Sequence, residues 1–311
     1  IIRTPNDPDT IYDDDPLRIL RCIRFASRYG WEIEYDTYEG MVRNVSRLEI
    51  ITKERVKDEF CKMLTCKHPI MAMELLRKIG AMHYVIPELE ETYSMTQNEY
   101  HFGTVWEHTM MVLEGTKDDN MILRISALLH DIGKIRVCTE EDGKIHFLKH
   151  ELKSGEMIDE LLRPLKFSNE IIKEVTFLVR NHMICKTWGS ECEYMKDKKL
   201  RRFQYECKTE ERFRNLMTII DADNNAYAAD KCMPKQVEFI LSRTEAMKAE
   251  GSAMFGYKLP LTGKEIMDLK GIKPGSAVKE CLDYLMKIAF VNPLRKKEEF
   301  VKHLLGYRLQ K

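Results

Sequence analysis

The sequence predicts an all-α protein with no large sheet, and three observations carry that prediction. Only fifteen glycines and ten prolines interrupt the 311 residues. Leu, Met, Lys, Glu and Arg fill the stretches between them, and these side chains lose little freedom in a helix. Apolar residues recur at helical spacing along most of the chain, whereas strand-like alternation is scarce. A chain of this length can bury a sizeable core and allows two or three helical subdomains.

Taken in order, the first ten residues are rich in Pro, Asp and Thr and read as loop. Helical patterns follow over 16–29, 36–45, 53–65 and 69–79. Thr52 stands where an N-cap belongs, with Arg55 where a capping-box acid would sit, and Gly80 is a natural stop. A loop over 92–102 leads into a histidine-bearing region that continues as helices to about residue 230. Within it, Glu140-Glu-Asp-Gly-Lys144 is a turn suited to a small hairpin. From Pro234 onwards, the strings Leu259-Pro-Leu-Thr-Gly-Lys264 and Gly271-Ile-Lys-Pro-Gly275 punctuate the chain before two closing helices. No internal repeat or low-complexity tract is present.

Fifty basic and fifty acidic residues balance to zero net charge, so any contact with nucleic acid must come from local patches. Nine cysteines, odd in number and without a CxxC pair, read as reduced thiols of a cytoplasmic protein. The apolar stretches are short and broken by charge, which predicts no membrane span, and no secretory signal is present. The chain starts at Ile1 in a motif-like stretch, and is expected to be a piece of something longer.

The chemistry is expected at His130-Asp131, in Arg124-Ile-Ser-Ala-Leu-Leu-His-Asp-Ile-Gly-Lys134. An imidazole and a carboxylate on adjacent residues cannot share one helix face, so both reach one ion only where a helix ends or bends. Gly133 is expected to supply that bend through backbone angles other residues resist. His108 lies upstream; His150, His182 and the pair Asp221 and Asp223 lie downstream. Nitrogen and oxygen ligands of this kind suit a divalent or trivalent transition metal. A mononuclear site needs His108, His130, Asp131 and one late aspartate. His150 and His182 would complete a second metal position or bind substrate phosphate. A metal here would acidify its bound water and polarise a phosphoryl oxygen, as phosphoester hydrolysis requires. Lys134, one turn on, is placed to offset phosphate charge, so His130, Asp131 and Lys134 are the candidate catalytic residues. His68, His83, His101, His146 and His303 fit no such series and read as surface or packing residues. Met71, Met73, Met110, Met111, Met121 and Met157 read as core filler.

A second feature is the arginine helix Asp13-Asp-Asp-Pro-Leu-Arg-Ile-Leu-Arg-Cys-Ile-Arg-Phe-Ala-Ser-Arg28. At about 100° per residue, Arg18, Arg21, Arg24 and Arg28 fall within roughly a 120° arc. Ile19, Leu20, Ile23 and Ala26 take the opposite side and should face a core. The acidic run before Pro16 suits a helix N-terminus, and Pro16 suits the first turn. Such a face is either a solvated charged surface or a rigid platform offering a fixed hydrogen-bond pattern to a base or phosphate.

Ile1-Ile-Arg-Thr-Pro5, Asp14-Asp-Pro-Leu-Arg-Ile-Leu-Arg-Cys-Ile-Arg-Phe-Ala26 and Lys53-Glu-Arg-Val-Lys-Asp-Glu59 together resemble the neck of the class II tRNA nucleotidyltransferases. These are the bacterial CCA-adding enzymes and the related poly(A) polymerases. The resemblance implies that Asp15 and Arg18 read the base edge of CTP or ATP, with Asp14 where the family commonly has Glu. Arg21 and Arg55 join them as nucleotide-binding candidates, and Arg55 and Glu59 hold the main polar positions of the later motif. The histidine region resembles the HD phosphohydrolase domain fused to some of these enzymes, with ligands carried over to His108, His130, Asp131 and Asp223. Asp223 is preferred to Asp221 on that pattern alone. The two C-terminal glycine strings resemble tail helices that hold tRNA.

The implied organisation is a neck and body over 1–95, an HD phosphohydrolase domain over 96–233 and a tRNA-contacting tail over 234–311. The implied cofactor is a divalent metal: Mg, Mn, Ni, Co or Fe. The implied partners are the tRNA 3′ end and a nucleotide, either CTP/ATP or a 2′,3′-cyclic nucleotide, with no membrane and a homodimer as an option. The family's catalytic head, with its paired-carboxylate magnesium site, should precede Ile1, and none of its motifs occurs here. The chain by itself is therefore not expected to polymerise. Two other readings compete: a free-standing HD hydrolase of signalling nucleotides, for which Asp15 and Arg18 would have no use, and a non-catalytic tRNA-binding module.

Overall fold

The computed structural model describes residues 1–98, 103–116, 119–227 and 231–309. Among them the fold is helical, and a two-stranded hairpin is the one sheet. Two compact units form, Ile1–Cys185 with Thr218–Met233, and Lys186–Met217 with Pro234–Lys311.

The first unit begins with α1 (Pro8–Asp14), α2 (Leu17–Tyr29), α3 (Tyr35–Asn44), α4 (Lys53–Leu64) and α5 (Pro69–Lys78). Helix α1 corrects the expected loop over the first ten residues. Asp7 caps it by accepting from the Thr10 amide at 2.9 Å, and Pro8 occupies the first turn, where a missing N–H costs nothing. The same helix changes the role of the acidic run: Asp13 and Asp14 close α1, and Asp15 caps the start of α2, accepting from the Leu17 amide at 3.2 Å. Helix α2 buries Leu17, Ile19, Leu20, Cys22, Ile23 and Ala26, as its wheel predicts, and packs on α4 and α5. Thr52 does sit at the N-cap of α4, but its side chain makes no capping bond.

The histidine-bearing part follows as α6 (Val105–Gly115), α7 (Met121–Leu129), the single turn α8 (Lys134–Val137), the hairpin β1 (Thr139–Glu141) and β2 (Lys144–His146), α9 (His150–Leu162) and α10 (Asn169–Asn181). The hairpin forms where the sequence placed a turn. Asp142 and Gly143 both have positive φ, 51° and 72°, the pair of angles a two-residue hairpin turn needs. One apolar core runs from α2 and α4 through Met73, Leu76 and Met82 to Val112, Leu128, Ile158 and Val175. Met73, Met110 and Met157 are buried as expected, but Met111 is exposed and is not core filler.

In the second unit lie α11 (Asp197–Cys207), α13 (Gln236–Ala249), α14 (Gly263–Lys270), α15 (Ser276–Val291) and α16 (Lys297–Gly306); α12 (Glu210–Asn225) contributes to both units. Two helices, α15 and α16, close the chain after Gly275 as expected, and α14 lies between the two glycine strings. The string read as punctuation starts α14: Thr262 and Glu265 form a reciprocal capping box. Ile266, Cys281, Leu285, Phe300 and Leu304 form a separate core. No helix among the described residues is long and apolar enough to cross a membrane, and all nine cysteines are free thiols.

Candidate metal centre and neck surface

The His130-Asp131 pair works because α7 tightens as it ends. Lys134 N–H donates to Asp131 O at 3.0 Å and Arg136 N–H to Gly133 O at 2.9 Å, three-residue turns that advance about 120° per residue. The tightened turn follows the pair and leads the chain into α8, and His130 Nε2 and Asp131 Oδ2 come within 3.2 Å of each other in one buried cluster. Gly133 is not the source of the bend: its φ and ψ, −64° and −18°, are ordinary helical angles. Its lack of a side chain matters instead. An added Cβ would lie 2.4 Å from the Ser154 backbone nitrogen and 2.5 Å from the His150 carbonyl oxygen, while the Gly133 amide donates to Ser154 Oγ at 2.8 Å. Gly133→Ala is therefore expected to push α9, and His150 with it, away from α8. A loss of about 1–3 kcal/mol in urea unfolding, together with reduced metal uptake, checks this.

Four histidines converge from four helices: His108 within α6, His130 at the end of α7, His150 at the start of α9 and His182 at the end of α10. Each turns Nδ1 towards a backbone carbonyl: Ala226 at 3.2 Å, Ala127 at 2.8 Å, Phe147 at 2.9 Å and Val179 at 2.8 Å. A carbonyl only accepts, so each Nδ1 carries a proton, and a ring in its neutral form presents an Nε2 lone pair inward. Those nitrogens face one another in two pairs, His108–His130 and His150–His182, both 3.3 Å apart. Two lone pairs at that distance repel unless a cation lies between or beside them.

Asp131 stands at the junction. Its Oδ2 is 3.2 Å from His130 Nε2 and 3.4 Å from His108 Nε2, and its Oδ1 is 3.0 Å from His150 Nε2 and 3.7 Å from His182 Nε2. Two three-ligand groups result, His108-His130-Asp131 and Asp131-His150-His182, sharing the carboxylate and fully buried. Asp131 Oδ1 is buried without a hydrogen-bond donor. Asp223, from the last turn of α12, brings Oδ1 to 3.2 Å from His108 Nε2. Asp221 is outside the cluster, where Asn225 donates to it at 3.3 Å. The donor set, imidazoles and carboxylates without a thiolate, fits a transition metal or magnesium-like ion.

Burial and charge pull in opposite directions here. Burial would raise the Asp131 carboxyl, but His130, Lys134 and His150 overcome it and hold it well below the usual range. Burial likewise opposes charge on His130, yet Asp131 beside it raises that imidazole. His108 is lowered by burial, and His182 is pushed down to about 3 by burial and by His130 and His150.

Lys134 does not project freely towards solvent. Its ammonium lies 2.6 Å from Asp131 Oδ2 and donates to Gln97 Oε1 at 2.7 Å. The role expected from sequence, offsetting substrate phosphate, becomes one shared with neutralising Asp131. Gln97 and Ser154 were not legible as site residues, nor was Tyr227, whose ring meets His108 edge-on with centroids 5.8 Å apart. Burial, then the Asp223 and Asp131 carboxylates, keeps the Tyr227 hydroxyl protonated far above its ordinary range. Of the remaining histidines, His83 pairs with Glu90 and His303 with Arg295, while His101 lies outside the described residues.

On the neck surface, Arg18 N–H donates to the Asp15 carbonyl at 3.0 Å, but their side chains take other partners. Asp15 accepts from Arg55 at 2.9 Å, bringing α2 and α4 together, and Arg18 binds Asp14 at 2.7 Å and the Ile11 carbonyl at 3.1 Å. Arg21 approaches the buried Glu59 at 3.7 Å, Lys62 does so at 3.5 Å, and Arg24 bonds it directly. Glu59 thus organises three cations. Glu59→Ala is expected to destabilise the chain by about 3–5 kcal/mol, because the nearly buried Arg24 would lose its counter-charge; chemical denaturation reads the loss.

Two domain families match the sequence. One, described as the probable RNA and SrmB-binding site of polymerase A, covers residues 30–92, and the HD domain covers residues 98–224. An A-adding tRNA nucleotidyltransferase of Deinococcus radiodurans is 28% identical over 86% of this chain and 62% of its own length. A CC-adding tRNA nucleotidyltransferase of Thermus thermophilus is 27% identical over 98% of this chain and 69% of its own. A multifunctional CCA protein of Neisseria gonorrhoeae is 31% identical over 56% of this chain and 43% of that protein. In fold, the chain resembles the Bacillus stearothermophilus CCA-adding enzyme crystallised with CTP, with a TM-score of 0.65 at 18% identity, over 98% of this chain and 64% of that one. The chain spans about 62–69% of the length of the first two relatives. One chain thus carries a segment matching the HD domain and another matching the polymerase-A RNA-binding site, and along most of its length it is similar to tRNA nucleotidyltransferases of the A-adding and CC-adding kinds.

Proposed function

We propose that this chain serves tRNA 3′-end processing as the RNA-binding and phosphohydrolase part of a CCA-adding or poly(A)-polymerase-type enzyme. In this reading residues 1–95 bind nucleotide and RNA, 96–233 carry the HD hydrolase and 234–311 contact tRNA. One observation carries the hydrolase: two pairs of opposed Nε2 lone pairs flank a single shared carboxylate in a buried cavity. Metal would be held by His108, His130, Asp131 and Asp223, with Asp131, His150 and His182 as a second set. When bound, it supplies a water acidic enough to attack phosphorus at neutral pH and a Lewis acid for a phosphoryl oxygen.

The chain's own residues supply the rest. Backbone carbonyls fix each imidazole in the Nδ1-protonated form, so all four Nε2 atoms remain available as ligands. Lys134 holds Asp131 ionised and in place. Tyr227, kept protonated, retains a phenolic proton beside Asp223. The substrates that suit the site are 2′,3′-cyclic phosphates, 2′-nucleotides or terminal phosphates at an RNA 3′ end. Asp15, Arg18, Arg21 and Arg55 are the residues for CTP or ATP on the neck, while nucleotidyl transfer itself belongs to a head domain with paired carboxylates. Elemental analysis of purified protein, followed by release of phosphomonoester from a 2′,3′-cyclic nucleotide before and after chelation, tests the reading. Metal-dependent turnover is expected. A protein that retains no metal and opens no cyclic phosphate would leave only an RNA-binding module.

A further inference from the structure

The exposed end of α2 carries a feature that neither the metal centre nor the nucleotide-reading residues use. Phe25, Tyr29 and Trp31 are 39%, 48% and 49% exposed, three large aromatic rings side by side on a solvent face. They are also ordered with respect to one another. Phe25 and Tyr29 lie 4° from parallel with centroids 6.4 Å apart, and Tyr29 and Trp31 lie 28° apart at 4.7 Å. Gly30 makes the last step. Its φ of +69° reverses the chain, so that Trp31 N–H returns to the Ala26 carbonyl at 3.0 Å and the indole comes back alongside Tyr29.

Cations are interleaved with the rings. The Arg24 guanidinium lies 4.0 Å from the Phe25 ring centre and that of Arg28 5.5 Å from the Tyr29 ring centre. Arg24 and Arg28 also line a cavity of about 420 Å³ with Lys62, Thr65, Cys66 and Lys67. The cavity lining holds no carboxylate, and the acid paired with two of its cations, Arg24 and Lys62, is the buried Glu59. Four cations against one carboxylate leave the cavity positive beside a row of flat rings.

Aromatic faces next to a basic cleft answer one chemistry above others: unpaired nucleobases joined by phosphates. Stacking needs no base identity because every base has a π-face, and the cleft takes the backbone. We propose that the Phe25–Tyr29–Trp31 array is a stacking platform for single-stranded RNA, with Arg24, Arg28, Lys62 and Lys67 holding the intervening phosphates. It rests on the RNA-binding reading of residues 1–95 and deepens it by naming the surface and the kind of strand it holds; it needs neither the HD site nor Asp15 and Arg18, and it predicts affinity for unpaired strand of any sequence.

The tryptophans make the test specific. Trp106 and Trp188 are 2% and 3% exposed, so Trp31 alone among the three is open to a solvent quencher. The 311-residue chain is titrated with an unstructured twelve-nucleotide oligoadenylate, and with a blunt RNA hairpin of equal phosphate number. Saturable quenching of the exposed emission by oligoadenylate, with weaker binding of the hairpin, is expected. Trp31→Leu should raise the oligoadenylate dissociation constant roughly ten-fold or more and leave CTP binding unchanged. Lys67→Gln should flatten the log–log salt slope by about 0.7. Binding without quenching, equal binding of the hairpin, or an unaltered constant in Trp31→Leu would each overturn the proposal. Quenching by a protein partner's peptide but not by oligoadenylate would do so too, assigning the face to protein. Quenching in the unmutated chain stands whether or not the variant folds. Cyclic-phosphate turnover is read separately, so a failed hydrolase and a failed platform are told apart.

Discussion

Asp131→Ala is expected to abolish hydrolysis of a 2′,3′-cyclic nucleotide and to strip the protein of bound metal. Loss of one outer partner of a metal ligand costs about 10–100-fold in activity or affinity. Asp131 does more than that. It is the one residue common to both ligand groups, with Oδ2 among His108 and His130 and Oδ1 among His150 and His182. A fall of at least about 1000-fold is therefore expected, beyond what any outer partner gives. Turnover and elemental analysis should fall together. Asp221→Asn is the matched control, since that carboxylate lies outside the cluster and pairs with Asn225. Because alanine also leaves the Lys134 ammonium with Gln97 alone, Asp131→Asn is measured beside it: similar in shape, it preserves packing while removing the shared charge. Full activity in either Asp131 variant would sink the hydrolase reading.

How much of this was legible in the sequence depends on whether a feature is local. The helical class, the runs over α2 to α5 and the Asp142–Gly143 turn come from periodicity and turn chemistry, and they appear nearly where expected. The convergence of His108, His130, Asp131, His150, His182 and Asp223 could be anticipated from residue types around one string, yet its two-fold arrangement about Asp131 could not. That depends on where α9 and α10 pack. Gly133 shows the difference well. Sequence knowledge of glycine points to unusual angles, whereas the constraint is the 2.4 Å approach of Ser154 from another helix. Helix α1 was missed because Pro, Asp and Thr mark both loops and helix starts, and only the Asp7–Thr10 bond separates the two. Tyr227, Gln97 and Glu59's three cations are tertiary facts, set by packing across many residues and carried by no local pattern.

The second large effect concerns acid. In chelated protein, stability is expected to fall as pH drops from 7 to 5, and His182 is the principal cause. Its folded value is pushed down to about 3 by burial and by neighbouring imidazoles, against an ordinary 6.5. The unfolded chain therefore takes up a proton below about 6.5 that the folded chain refuses. Stability tied to His182 is complete above 6.5 and is lost progressively towards 3. At about 1.4 kcal/mol per unit, the loss reaches roughly 2 kcal/mol at pH 5. His108, lowered by burial, adds in the same direction. His130 opposes both: raised beside Asp131, it contributes fully below 6.5 and its contribution is lost as pH rises through the folded value. Asp131, held low, contributes above the ordinary carboxylate value and is lost only at stronger acid, outside this window. Urea unfolding in chelator at pH 7.5 and 5.0 separates these terms. His182→Gln removes the group that refuses its proton, so the variant should lose about 2 kcal/mol less than the parent on acidification. Equal losses in the two proteins would mean that the four imidazoles do not share one dry cavity. The lone-pair geometry on which the metal centre rests would then be wrong as well.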